Sequence, residues 1–259
     1  MVQLGLILSK GISVLSSLKR FLRSARTGLE IAWSSRGNTR RCGLCGWTGH
    51  RFLTHGAPQK RRLDARCPKC GSLERHRLAF QSLKGAVEPW LPDRPWRVLH
   101  VAPETCIEPW LRRESSEYLS IDKYGPAMKQ MDLVAMDLPD QSFDFVWCSH
   151  VLEHIEADQD AMREIFRVLA PGGVLLAQVP VWRTETYEDA RLRSDEERLR
   201  AFYQRDHVRL YGLDIVSRFE KAGFEVRVVH ARDFGPSVVA MGSLSYLSTN
   251  EVFLCKRSL

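Results

Sequence analysis

The stretch from Phe143 to Pro180, FDFVWCSHVLEHIEADQDAMREIFRVLAPGGVLLAQVP, constrains the fold of this chain more than any other. Phe143 to Cys148 is a short apolar run with the length and composition of a buried strand. A polar loop, Ser149 to Glu156, follows it. A helix comes next: Asp158 is placed to cap it, and Met162, Ile165, Phe166 and Leu169 recur at i, i+3, i+4 and i+7. Pro171-Gly172-Gly173 stops that helix, and Val174 to Val179 is a second buried strand. Strand, helix and parallel strand make a βαβ unit, which requires a right-handed crossover and a sheet covered on both faces. Ligands of such sheets bind beyond the carboxyl ends of the strands, where Ser149, His150, Glu153 and His154 lie.

The order Asp144-x-Val-x-x-x-x-Val-Leu-Glu-His154, then a helix, then Leu169-x-Pro-Gly-Gly173, resembles class I S-adenosylmethionine-dependent methyltransferases of the type-11 kind. The resemblance runs from about Arg97 to the C-terminus and is specific over Asp144–Gly173. It implies an α/β fold with a Rossmann-like seven-stranded methyltransferase sheet, S-adenosyl-L-methionine as cofactor, and methyl transfer.

Seven cysteines are present, and four of them form two Cys-x-x-Cys pairs, Cys42/Cys45 and Cys67/Cys70, with 21 residues between the pairs. Each pair can turn tightly enough to put two thiolates on one metal, and two such turns make a tetrahedral four-sulfur site. The module resembles a zinc ribbon. Its zinc would be structural, because all four positions are filled by sulfur and few apolar residues lie nearby to hold a fold. His50 and His55, on the intervening segment, read as surface residues, and that segment suits a short β-hairpin. Thiol pairs without a secretion signal point to a reducing, cytoplasmic setting. No apolar run approaches the roughly 18 residues of a membrane span.

Charge is unevenly spread. Residues 1–70 carry 14 Lys/Arg against 2 Asp/Glu, and the remainder 24 against 29. The expected organisation is a basic amphipathic segment at 1–36, the ribbon with its connecting helix at 37–88, and the methyltransferase domain at 95–259. Within residues 1–33, Leu4, Leu8, Leu15, Leu18, Leu22 and Leu29 form a heptad-like stripe with Lys19, Arg20, Arg23 and Arg26 off it. Such a helix can touch an anionic membrane, pair with a second copy, or dock on its own protein. The next basic helix, Ser72 to about Leu83, presents Leu73, Arg77, Phe80 and Leu83 on one face, and Arg75, His76 and Arg77 read as solvated charge.

The resemblance assigns roles along the chain. Arg97 to Ala102 is strand one, and the turn after it is glycine-rich in the family. Here Ala102, Glu104 and Cys106 stand at the three glycine positions. The expectation is that Glu104 offers a carboxylate to the cofactor's ammonium group. His100 reads as a core histidine. Asp122, 18 residues beyond Glu104, ends strand two near the spacing at which a carboxylate takes ribose hydroxyls. Met131 to Met136 is expected as strand three, with Asp137 facing the adenine amino group and Leu138 its ring. Ser149 and His150 fall beneath the sulfonium.

Beyond Pro180 comes a charged insertion, residues 182–211, expected as a substrate loop or lid. Asp206, His207, Arg209 and Tyr211 are its substrate-side candidates, and His207, His150 and His154 are the candidate general bases, imidazole being suited to neutral pH. A helix to Gly223 and two strands complete the expected fold, the last strand running antiparallel at the sheet edge. The acceptor is expected to be a small molecule, sugar or lipid-linked intermediate in preference to nucleic acid, since no interleaved aromatic–basic stripe is visible. The alternatives are a ribbon-bearing scaffold with a degenerate methyltransferase-like domain and an RNA methyltransferase.

Overall fold

Alternating apolar positions on consecutive strands with helical connections can bury both faces of one sheet, and this is what the chain does. The computed structural model describes residues 27–57, 61–84, 90, 95–247 and 249–258. Most of the amphipathic segment expected at 1–33 lies outside the described residues. Its last part, helix α1 at residues 27–34, meets the ribbon. Trp33 packs edge-on against His50 at 5.0 Å, Arg51 lies over the Trp33 ring, and the His50 amide donates to the Ser34 carbonyl.

The ribbon comprises β1 (Arg40–Arg41), β2 (Thr48–Gly49), β3 (Leu53–His55) and β4 (Arg62–Arg66), paired as two antiparallel hairpins. Helix α2 (Glu74–Ser82) follows. It is not solvated. His76 and Arg77 are buried, and Leu78, Phe80 and Leu83 pack against one face of the main sheet. Arg77 donates to the carbonyls of Ala65 and Ser72 in the ribbon and of Gly242 and Ser243 near the C-terminus, with its guanidinium over the Phe52 ring. A buried guanidinium survives only when its donors are used, and here backbone carbonyls supply that need.

The main sheet runs β13-β14-β9-β8-β5-β6-β7. Its elements are β5 (Trp96–Val101), α3 (Glu108–Glu114), β6 (Ser115–Asp122), β7 (Lys129–Gln130), β8 (Phe143–Ser149), α4 (Asp158–Val168) and β9 (Leu169–Gln178). A small sheet of β10 (Val181–Arg183), β11 (Tyr187–Glu188) and β12 (Arg209–Gly212), with α5 (Asp195–Phe202), precedes α6 (Ile215–Lys221) and β13 (Phe224–His230). Helix α7 (Pro236–Gly242) and β14 (Glu251–Arg257) end the chain. Leu99, Val101, Val146, Cys148, Leu175 and Ala177 face α4 and α6, whereas Val98, Phe145, Trp147, Val174 and Leu176 face α2 and α3. The motif residue Asp144 joins strands β8 and β5: it accepts from the Arg97 amide and guanidinium. Burial works to raise its carboxyl pKa, and Arg97 outweighs burial and lowers it.

Four expectations need correcting. Met131 to Met136 is not a strand. Its buried residues Leu133 and Met136 pack into the core from a loop, so their apolar spacing reflects a turn, and the strand is the two-residue β7 before it. Asp158 does not cap α4; Ala157 is the N-cap, and the Asp158 carboxylate accepts from Tyr211 and Arg218 instead. The last strand is not at the edge. β14 pairs antiparallel with both β13 and β9, leaving β13 outermost. The charges of α2 are enclosed, as described above.

The parallel strands turn in opposite directions from β5, with β6 on one side and β8 on the other. This is the switch point at which such sheets leave a crevice. Ala102, the first residue past β5, has φ +48° and donates its amide to the Ile121 carbonyl at 2.8 Å. The turn thus keeps a glycine-like backbone without a glycine. A left-handed alanine costs about 1–2 kcal/mol, while glycine loses about 0.5–1 kcal/mol more chain entropy on folding. Ala102→Gly is therefore expected to leave the urea midpoint unchanged or raise stability by up to about 1 kcal/mol. Ala102→Val should lower it by about 2 kcal/mol, because a β-branched residue is poorly tolerated at positive φ.

Candidate active site

The crevice at the switch point is a cleft of about 650 Å³. Val101 and Ala102 line it from β5, Ile121 to Tyr124 from β6, Met131 to Val134 from the loop after β7, and His150, Val151 and His154 from the loop after β8. Asp206 and Val208 close it from the insertion. Asp122 ends β6 and lines the cleft, with Oδ1 accepting the amides of Tyr124 at 2.8 Å and Gly125 at 2.5 Å. Asp132 accepts from the Val134 amide and pairs with Lys123 at 2.7 Å. Asp137 and Leu138 do not line the cleft: Asp137 is exposed and Leu138 packs on the core. The dipeptide Asp-Leu occurs twice, at 132–133 and 137–138, and the first copy is the one at the cleft.

Glu104 turns away from the cleft. Its Oε2 accepts from Trp147 Nε1 at 2.9 Å and lies 3.2 Å from His100 Nε2, and its Oε1 lies 3.4 Å from His76 Nε2 of the ribbon helix. Burial raises this carboxyl, yet the hydrogen bonds of His100 and His76 outweigh it and hold the group far below the ordinary carboxylate range. The expected contact with a cofactor ammonium is thus replaced by a brace between the first turn and α2. Arg75, on the same helix, has a buried Nε with no hydrogen-bond partner among the described residues. Burial lowers its pKa, and the Glu104 carboxylate opposes that shift.

At the end of β8, His150 has φ +55°, which swings its ring toward the cleft, and its amide donates to the Gln178 carbonyl at 2.8 Å. His150 Nδ1 lies 3.1 Å from Glu153 Oε1. Glu153 is 1% exposed; burial works to raise its pKa, but the His150 hydrogen bond and the neighbouring His154 lower it on balance. His154 sits on a short 3-10 turn with Nδ1 3.2 Å from the Asp206 carboxylate. His207 is buried against His154, ring centroids 4.8 Å apart, and burial lowers its pKa. Ser149 is buried behind them. His150 and His154 therefore face the cleft, while His207 stands behind His154.

Arg209 and Tyr211 anchor the insertion and do not present themselves to a substrate. Arg209 donates to the carbonyls of Leu152, Ile155 and Glu156 and to the Glu188 carboxylate. Tyr211 donates to Asp158 at 2.7 Å, and Arg218 bridges Asp158 and Glu188. Both are buried, because β12 runs between β10 and β11 and its polar side chains reach inward to the loop ends. Periodicity could not reveal this. The signal that could have done so is the clustering of Arg209, Arg218, Asp158 and Glu188, and that exists only in three dimensions.

In the ribbon, both pairs continue as Cys-x-x-Cys-Gly. Gly46 and Gly71, with φ +71° and +76°, donate their amides to the carbonyls of Cys42 and Cys67. Sγ–Sγ separations are 3.7 Å for Cys42–Cys70 and 3.6 Å for Cys45–Cys67. Tetrahedral bonds of about 2.3 Å require about 3.8 Å between sulfurs, so the donor set fits a four-thiolate metal.

Residues 85–177 match the sequence model of a methyltransferase domain. A probable S-adenosylmethionine-dependent methyltransferase of Mycolicibacterium smegmatis is 35% identical over 95 residues, 37% of this chain and 34% of its own length. A malonyl-[acyl-carrier protein] O-methyltransferase of Enterobacter lignolyticus is 41% identical over 46 residues, 18% of each chain. The chain thus spans about a third or less of the length of these curated relatives. Among solved structures, an S-adenosylmethionine-dependent methyltransferase from Mesorhizobium loti overlaps 66% of this chain and 96% of its own, with 16% identity and a TM-score of 0.49. Within its seven-stranded α/β sheet, this chain thus carries a stretch, residues 85–177, similar in sequence to the methyltransferase domain family.

Proposed function

We propose that this chain is an S-adenosylmethionine-dependent methyltransferase acting on a hydroxyl of a small molecule, sugar or lipid-linked acceptor, with a structural zinc in its ribbon. The observation that carries the reading is the pairing of two features across one switch-point cleft: a carboxylate, Asp122, at the end of β6, and an imidazole, His150, backed by the buried Glu153 at the end of β8. The donor set suits the cofactor. In this reading the Asp122 carboxylate takes the ribose hydroxyls and Asp132 and Leu133 border the adenine edge, all three lining one cleft beside the left-handed turn at Ala102. When bound, S-adenosylmethionine supplies the methyl group: a bond forms from the acceptor atom to the methyl carbon as the carbon–sulfur bond breaks and its electron pair stays on sulfur.

The chain's own contributions are orientation and a proton acceptor. His150 Nε2 takes the acceptor proton, while Glu153 fixes the ring through Nδ1 and stabilises the imidazolium that results. His154, held by Asp206, borders the acceptor side and connects it to the insertion. Holding acceptor and methyl donor in line provides much of the rate, so a modest base suffices.

Asp122→Asn keeps an oxygen for the Tyr124 and Gly125 amides while removing the charge, and Asp122→Ala removes both. Calorimetry with S-adenosylhomocysteine should show the alanine variant weakened by about 1.5–3 kcal/mol, roughly tenfold to a hundredfold, and the asparagine variant in between. Unchanged affinity in both would remove Asp122 from the binding site. Elemental analysis of the purified protein should find about one zinc held by Cys42, Cys45, Cys67 and Cys70. Cys67→Ser should lose that metal and lower the melting temperature, while a metal-free, fully stable wild type would contradict the structural zinc.

A further inference from the structure

Six buried polar atoms on residues at the carboxyl ends of β8 and β9, in the loop after β8 and in the insertion lack hydrogen-bond partners among the described residues. They are Ser149 Oγ, His150 Nε2, Glu153 Oε2, Gln178 Oε1 and both ring nitrogens of His207. Native interiors leave few such atoms, and an imidazole that is 2% exposed with neither nitrogen engaged is costly. Glu153, His154 and His207 each present one ligand atom there, and the three atoms lie within 4.8 Å of one another.

The surrounding contacts leave particular atoms free. Asp206 holds His154 at Nδ1, 3.2 Å away, which leaves Nε2 on the side of Glu153, 4.0 Å from Oε1. His150 occupies Glu153 Oε1, which leaves Oε2. The His154 Nδ1 hydrogen bond is to the Asp206 backbone carbonyl, and a carbonyl on one imidazole nitrogen, with the other directed at a shared centre, is the outer-shell pattern of metal-ligating histidine. We propose that Glu153 Oε2, His154 Nε2 and one ring nitrogen of His207 form a divalent transition-metal site distinct from the ribbon. Two imidazoles and a carboxylate are the donors of zinc and iron(II) sites that keep coordination positions open. Bonds of about 2.0–2.2 Å put tetrahedral ligands roughly 3.4 Å apart, so the cluster closes around an ion by shifts of about 1 Å.

Because His154 also lines the cleft, the open positions lie on the acceptor side. Resting on the methyl-transfer reading, the site specifies the acceptor class: a hydroxyl with a neighbouring oxygen, able to bind the cation through both. The cation lowers the pKa of the bound hydroxyl. Its proton passes to His150 Nε2, and the oxygen so freed bonds to the methyl carbon. The position also gives the insertion a purpose, since it supplies both His207 and the Asp206 that orients His154.

The test is titration of the full-length protein, its ribbon filled, with cobalt(II), followed by calorimetry and absorption, with S-adenosylhomocysteine affinity measured on the same samples. The expected result is one further equivalent with the weak d–d bands of nitrogen–oxygen ligation and no added thiolate charge-transfer band. Glu153→Gln, His207→Asn and the more exposed His154→Ala should each weaken that equivalent at least about tenfold. A circular-dichroism spectrum and melting temperature matching the wild type certify the fold of His154→Ala. No further equivalent, thiolate bands alone, or cobalt affinity unchanged in His154→Ala overturns the cation site. If homocysteine-cofactor binding persists in that case, the methyl-transfer reading stands without the cation. Cobalt binding as expected in a wild type that does not bind S-adenosylhomocysteine supports the cation site and overturns the methyl-transfer reading.

Discussion

A largely enclosed carboxylate draws polar partners, and in this chain those of Glu104 come from three directions, two by hydrogen bond and His76 as a charge neighbour at 3.4 Å. His100 lies on β5, Trp147 on β8, and His76 on the helix that leaves the ribbon. The turn after β5 is thereby tied to the two central strands and to the N-terminal module at once. Because α2 also covers one face of the sheet with Leu78, Phe80 and Leu83, the helix that leaves the ribbon is part of the core, while Cys42, Phe52 and Cys67 form a cluster of their own in the ribbon. Arg77 completes the connection by donating to carbonyls of the ribbon and of the segment after α7. A metal in the ribbon would therefore bear on the geometry of a turn that borders the cleft.

The insertion is fixed by a second polar set, built on the buried Asp158, Arg209 and Tyr211. Asp158, Glu188, Arg209, Arg218 and Tyr211 satisfy one another and the carbonyls at the end of the loop after β8. Such a set is expensive to break, because removing one member leaves the others buried and uncompensated. Its result is positional: Asp206, His207 and Val208 are delivered against His154 and Glu153, and the Val208 amide donates to the Glu153 carbonyl. The charged composition of residues 184–200 thus belongs to a docked element that borders the cleft.

Much of this was legible in the sequence where local pattern and burial agree. The apolar run to Cys148 and the helix with Met162 and Ile165 inward follow from period, whereas the helix ends at Val168 and β9 already begins at Leu169, ahead of the Pro171-Gly172-Gly173 expected to stop the helix. The two cysteine pairs come together because Cys-x-x-Cys-Gly dictates its own turn. Legibility failed where one residue type serves two ends. A carboxylate at Glu104 reads equally well as a cofactor ligand or a core brace, and only His76, from 28 positions upstream, decides for the brace. Asp137-Leu138 and Asp132-Leu133 are identical dipeptides, and the loop path selects between them. Arg209 and Tyr211 were read as facing a substrate because long-range ion pairs leave no trace in periodicity. Ala102 stands at a position where the family has glycine, and its backbone takes the left-handed conformation regardless.

The central claim is that the crevice between β5 and β8 is a cofactor site. Crystals of the protein grown with S-adenosylhomocysteine test it most directly. The account predicts density along that cleft, with the ribose against Asp122, the adenine beside Leu133 and the sulfur toward His150. A ligand bound elsewhere, or a cleft that remains without ligand at saturating concentration, would contradict it.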